Sequence, residues 1–430
     1  MDVVAEGEGG LVRMAHRVLP GGGFGNMEGD AIIARGKAGR VWDVEGREYV
    51  DFLIGSGPML VGHAHPEVTA AVQAQVALGT TFFANNEPGI RLAEAIVGAV
   101  ACAEQVRFTS SGTEADAYAM RLARAYRRRD KILKFEGGYH GMSDYGLMSL
   151  WPVAPPGRGG NSARAVVDSA GIPGNSVENM VVAPFNDLRA AEELIHAHRE
   201  ELAGVIVEPM QRLVPPRAGF LEGLRAVTAE YGIPLIFDEV VTGFRLAYGG
   251  AQAFYGVVPD ICTLGKVIGG GFPLAAVAGR AEIMAHFDRG RAGAGGFMPM
   301  VGTLSGNPVA AVAGLATLEV LRRPGAYERL FATGEVLRAG LAGALRGAGF
   351  AVQVPGEAPM FDAVFSELPV VDYRTGLAGD AGLSKQFNAL LRERGVFKSA
   401  GKLYVSVAHD EADVRFAVAA FEGAAGALRG

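Results

Sequence analysis

The sequence predicts an α/β protein: a mostly parallel sheet covered by helices, joined to a smaller α+β domain built from both chain ends. Three observations carry this. Through the middle of the chain, short apolar runs alternate with segments of helical period. Glycine supplies 62 of 430 residues, roughly double the usual share of about 7%, clustered between the apolar runs as tight strand-to-helix turns require. From Thr317 onward, helical patterns dominate.

In chain order, residues 40–53 alternate turns and short strands around Asp43, Gly46 and Asp51. Residues 106–109 read as a strand, followed by Ala115, Tyr118, Ala119, Leu122, Ala123 and Tyr126 at helical spacing. Residues 132–135 form the next strand, ending in Glu136-Gly137-Gly138-Tyr139-His140-Gly141. A helix over 187–202 leads into a strand near 204–209, and one over 220–231 leads into 234–239. Residues 261–266 follow, with Gly269-Gly270-Gly271 behind them. The uncharged stretch 293–318 is broken by Pro299, Ser305, Asn307 and Pro308, so it reads as a buried loop followed by a helix rather than a membrane span. Helices over 326–345 and 384–394 come before a strand-like 402–407. The large domain is expected over 61–309 and the small one over 1–60 and 310–430.

Composition narrows the function. Forty Lys and Arg against 46 Asp and Glu leave a net charge of -6, with no electrostatic reason to expect nucleic acid. Two cysteines, Cys102 and Cys262, make no disulfide framework and suit a reducing compartment. The first residues are acidic where a secretory leader is basic. The expectation is a cytoplasmic enzyme acting on small molecules, with no metal, membrane or nucleic-acid partner.

Ligands of an open parallel sheet sit beyond the carboxyl ends of its strands. The polar residues there are Ser110, Ser111, Tyr139, His140, Glu208, Gln211, Asp238, Glu239 and Lys266. Ser111 and Glu114 have capping-box spacing, which marks either an ordinary capped helix or an anion site on free first-turn amides. Lys131 and Lys134 read as lysines of a solvated strand edge. Lys266 lies between a buried strand and a triple-glycine loop, where desolvation either makes its amine nucleophilic or leaves it paired to a carboxylate. Asp238 ends an apolar strand, so it either faces a cation such as a protonated pyridine or caps a helix. Gly21-Gly22-Gly23-Phe24-Gly25 follows no strand and is no dinucleotide fingerprint. His63 and His65 lack the companions of a metal site.

Five stretches in order then resemble the class III aminotransferases of pyridoxal phosphate fold type I, nearest the glutamate-1-semialdehyde aminomutase branch. They are 111–115 (SGTEA), 135–141 (FEGGYHG), 238–245 (DEVVTGFR), 264–271 (LGKVIGGG) and 302–308 (GTLSGNP). The resemblance implies a seven-stranded large-domain sheet and pyridoxal 5'-phosphate carried as a Schiff base on Lys266, which also shuttles the proton. It implies Asp238 on the pyridinium nitrogen and Ser111, Gly112 and Thr113 around the phosphate. Tyr139 and Val240 then lie on the two ring faces, Glu208 supports the ring from behind, and Gln211 lies near the 3-hydroxyl. Thr303 reaches the neighbouring subunit's cofactor in a homodimer.

The chain departs from the aminomutase pattern only around the substrate. Gly23-Phe24-Gly25-Asn26-Met27-Glu28 supplies no arginine where that branch has one. Ser56 replaces a tryptophan, Leu213 an asparagine, and 398–402 (KSAGK) holds no acid. An aminomutase must retain its doubly aminated intermediate. Losing these anchors favours an intermolecular aminotransferase, with the aminomutase as the alternative. Arg212, next to Gln211, either clamps a substrate carboxylate or is a rim arginine paired to a surface acid.

Overall fold

The computed structural model describes residues 7–27, 31–152 and 165–429. A helix over Glu8–Val18 leads into three antiparallel strands, β1 (Ile33–Lys37), β2 (Arg40–Asp43) and β3 (Glu48–Asp51). Asp43 fixes the β2–β3 turn by accepting from the Arg47 amide at 2.9 Å and the Tyr49 hydroxyl at 3.0 Å.

The central sheet has seven strands: β4 (Gln105–Thr109), β5 (Lys131–Phe135), β6 (Met180–Ala183), β7 (Leu202–Val207), β8 (Leu235–Glu239), β9 (Ile261–Leu264) and β10 (Ala275–Gly279). Their order is β4-β10-β9-β8-β7-β5-β6. Strands β6, β5, β7, β8 and β9 pair in parallel, while β10 runs antiparallel to both neighbours. Every residue of β6 through β10 is buried, as helices on both faces of a sheet demand. The connecting helices Gly112–Arg127, Leu188–His198 and Phe220–Glu230 lie where the apolar period places them.

Beyond the sheet run the helices Pro308–Leu321, Ala326–Gly347 and Ala381–Glu393 and the short strands β11 (Gly356–Glu357), β12 (Met360–Phe361), β13 (Val396–Phe397) and β14 (Leu403–Tyr404). Strand β13 pairs in parallel with β3, Val396 opposite Val50, so early and late chain segments share one sheet. Among the described residues no helix is long and apolar enough to cross a membrane.

Three expectations change. Lys134 is not at a solvated edge: β5 lies between β7 and β6, and the side chain is 0% exposed. Its ammonium donates to the carbonyls of Gly138, Gly146 and Met148 at 3.0, 3.1 and 2.5 Å, which replace water; burial still pushes its pKa down to about 7. Lys131, by contrast, is half-buried and paired to Glu201 at 2.9 Å. The loop before Pro308 is only partly buried on this chain, with Met298 and Met300 inside and Val301, Thr303 and Leu304 exposed, as loops whose backbone needs water usually are. The strand over 402–407 shortens to Leu403–Tyr404, because the following amides of Val405 and Val407 turn to separate carbonyls, of Pro359 and Leu60.

Candidate active site

A cleft of about 1400 Å³ opens at the carboxyl ends of the parallel strands. Ser111, Gly112, Thr113, Tyr139, Glu208, Arg212, Asp238, Val240 and Lys266 all line it. Nine residues scattered over 156 positions of sequence thus meet in one place.

At one end stands the start of helix Gly112–Arg127. Its capping box is complete: the Ser111 hydroxyl accepts from the Glu114 amide at 3.2 Å, and the Glu114 carboxylate accepts from the Ser110 and Ser111 amides at 2.8 and 3.0 Å. The cap therefore leaves the first-turn amides of Gly112 and Thr113 for an outside acceptor. A Cβ at Gly112 would come within 2.9 Å of Val240 Cγ1, so only glycine lets the backbone lie this close. The Thr113 hydroxyl accepts from the Met142 amide at 3.2 Å, which holds it beside the same opening.

On the floor, Asp238 is 5% exposed. One carboxylate oxygen faces His140 Nδ1 at 2.8 Å; the other accepts from the Val240 amide at 3.1 Å. Thr263 lies between Asp238 and a second acid, its hydroxyl 2.6 Å from Asp116 Oδ1 and 3.4 Å from Asp238 Oδ1. Burial, together with the charge of Asp238, pushes the Asp116 carboxyl well above the usual range, which favours its neutral form. Glu208 accepts from the Tyr139 amide at 2.9 Å.

Lys266 follows β9 with φ +47°. Left-handed backbone costs an L-residue with a Cβ about 1–2 kcal/mol, and such strain concentrates at functional positions. Burial lowers its pKa, and among the described residues Nζ has no hydrogen bond and no ion pair. Gly57, at φ +110°, makes room for it: a Cβ there would meet Lys266 Cδ at 3.4 Å and Arg245 Nη2 and Tyr404 Cε1 at 3.3 Å. Arg212 is left-handed as well, φ +58°, with its guanidinium carbon 5.4 Å from the Tyr139 ring centroid.

Two predicted residues lie elsewhere. Gln211 does not line the cleft; its amide donates to the Glu136 carbonyl at 2.7 Å, and its Oε1 is buried without a partner. Thr303 is exposed and borders a separate cavity of about 390 Å³ with Phe82, Phe83 and Asn307. Phe82, Phe83 and Val301 are themselves exposed there. His63 binds Asp51 at 2.6 Å, and no acid or cysteine cluster able to hold a metal occurs among the described residues.

Sequence reasoning missed Asp116, Lys398 and Lys402, all on the cleft wall or floor. Asp116 sits on the buried face of its helix at a position where an apolar residue was due, and that polar interruption was the available signal. Ser56, Asn26, Met27 and Gly401, at or beside the departures from the aminomutase pattern, also line the cleft.

A lowered lysine beyond one strand, an aspartate closing the next and a capped helix start over both define a pyridoxal phosphate enzyme of fold type I. The chain belongs to the class III aminotransferase family, whose model matches residues 25–410. It is 40% identical over 417 residues to glutamate-1-semialdehyde 2,1-aminomutase 2 of Brevibacillus brevis, covering 94% of each chain. Its fold matches an ω-transaminase from Sphaerobacter thermophilus with TM-score 0.93 and 37% identity, over 100% of this chain and 99% of that one. A β-phenylalanine aminotransferase from Variovorax paradoxus matches with TM-score 0.85 and 32% identity, over 96% and 92%. The cofactor is pyridoxal 5'-phosphate. The cleft suits it: free helix-start amides for a phosphate, a buried carboxylate for a ring nitrogen, and an unpaired amine between them.

Proposed function

We propose that the protein is an intermolecular aminotransferase that moves an amino group from an amine or amino acid to a carbonyl acceptor in two half-reactions. The observation that carries this is Lys266: a lowered, unpaired amine held in strained backbone in the cleft that Asp238 also lines. When bound, the cofactor supplies the electron sink that lets the substrate carbon lose its proton. Lys266 holds it and carries the proton from and back to the substrate carbon on Nζ. Asp238, held at one oxygen by His140, would face the ring nitrogen. Ser111, Gly112 and Thr113 take the phosphate; Tyr139 and Val240 pack the ring faces and exclude water. Glu208 fixes Tyr139 through its amide. Thr303 reaches the phosphate in a second copy of the chain, making the working unit a homodimer, and Arg212 meets a substrate carboxylate.

The aminomutase is the second reading, favoured by the Brevibacillus relative. Against it stand Ser56, Asn26 and Gly401 in the cleft wall, small or neutral groups where retention of an intermediate needs anchors. Initial rates with varied donor and acceptor test the proposal. Parallel double-reciprocal lines, and one carbonyl released per site by donor alone, are the expected result. Intersecting lines with no carbonyl released would remove the two-half-reaction mechanism.

A further inference from the structure

A chain of net charge -6 lines this cleft with six cations and only three carboxylates. The carboxylates are all engaged: Asp238 with His140, Asp116 with Thr263, and Glu208 with the Tyr139 amide. Among the cations, Lys398 is paired to Asp362 at 2.8 Å. Arg212 and Lys402 are different. Among the described residues neither side chain has a hydrogen bond or an ion pair; each rests only against an aromatic ring, Arg212 at 5.4 Å from Tyr139 and Lys402 at 6.0 Å from Tyr404.

Arg212 and Arg245 add positive charge around Lys402, and Glu208 and Asp238 offset it only in part. Arg245 lies 5.0 Å from the same Tyr404 ring, fully buried, with Nη1 unpartnered and no carboxylate beside it. Burial first, and then the charges of Arg212 and Arg245, lower the Lys402 ammonium to about 7. The backbone that presents Lys402 is fixed. Its carbonyl accepts from the Ser399 hydroxyl at 2.9 Å, and the Ala400 carbonyl accepts from Asn388 at 2.9 Å. Partly buried cations without a counter-ion are costly, and an anion entering the cleft from solvent can meet both Arg212 and Lys402 there.

We propose that Arg212 and Lys402 together bind the carboxylate of the substrate, so that donor and acceptor are amino acids and oxo acids rather than simple amines and ketones. Arg212 supplies a planar fork for the two carboxylate oxygens and Lys402 a point charge. The inference rests on the aminotransferase reading of this cleft.

The test uses cofactor-loaded protein and donors that differ only in the carboxylate: alanine against isopropylamine, and 3-aminobutanoate against sec-butylamine. Loss of the visible cofactor band in a single half-reaction gives an apparent Kd and a rate for each. Calorimetry with butanoate, which carries no amine, reads the subsite without chemistry. Lys402→Met and Arg212→Met should each weaken the carboxylate donor and butanoate by about tenfold or more, with the amines within about twofold. Lys402→Arg should restore most of the loss, and the double variant should lose less than the product of the single losses. Equal losses on amines and amino acids, or butanoate affinity unchanged in the variants, would overturn the subsite. So would a Lys402→Met effect confined to the rate. If no donor discharges the wild-type band while butanoate still distinguishes the variants, the aminotransferase reading fails and the anion site stands.

Discussion

The two ends of the cleft are built on opposite electrostatic plans. On the floor, each acid has its partner within the chain and Lys266 alone is left unpaired among the described residues: Asp238 faces His140, Glu208 holds the Tyr139 amide, and Ser111 and Glu114 close a capping box. On the outer wall, Arg212 and Lys402 rest against Tyr139 and Tyr404, with the buried Arg245 behind Tyr404, and among the described residues none of the three is ion-paired to a carboxylate. A compensated floor is preorganised for one resident group and needs little further adjustment. An uncompensated wall gains its missing charge only when substrate arrives, which makes it the place where specificity is set.

Changes on the floor should therefore act on chemistry and cofactor retention, and changes on the wall on substrate binding. The largest effect is expected for Lys266→Ala, which should lower turnover by about 10⁴-fold or more and remove the lysine-linked absorbance band; a variant that kept both would break the comparison at its base. Asp238→Asn should follow, with a loss of about 10²–10³-fold in kcat and measurable loss of cofactor on dialysis, since His140 and the ring nitrogen both lose a negative partner.

On the wall the sharper probe is pH. Lys402, at about 7, is charged below that value and neutral above it. Butanoate affinity should therefore fall as pH rises from 6 to 9, by about tenfold, and Lys402→Met should flatten the profile. The charged groups acting on Lys402 are Arg212 and Arg245, which lower it, and Glu208 and Asp238, which raise it. A profile unchanged by the substitution would assign the titration elsewhere. The smallest effect belongs to Asp116→Asn. Burial favours the neutral form of Asp116, so a neutral isostere should leave cofactor retention within about threefold, whereas a large change would mean that Asp116 is ionised beside Asp238.

The contrast also explains what could be read from the sequence. Floor residues sit at strand ends and a helix cap, where one-dimensional signals are strong: an apolar run stopping at Asp238, a capping box at Ser111, a lysine before three glycines. The parallel sheet followed from the same runs. Lys402 follows the Lys398–Gly401 turn just before a two-residue strand, and nothing local separates it from a surface lysine. Only the fold brings it to Arg212, 190 positions earlier. Lys134 failed in the opposite sense, since its three carbonyl acceptors come from a loop whose path the strand pattern does not contain. Gln211 follows the same rule: its neighbour Arg212 turns into the cleft on left-handed backbone, while Gln211 turns back to Glu136.

The most direct measurement of the central claim supplies cofactor-loaded protein with glutamate-1-semialdehyde and no other amino acceptor. An intermolecular aminotransferase should form at most about one product per site before stopping, with the cofactor band altered and then recovered when an oxo acid is added. Sustained conversion to 5-aminolevulinate without any added acceptor would contradict the account and make the protein an aminomutase that retains its intermediate without the expected anchors.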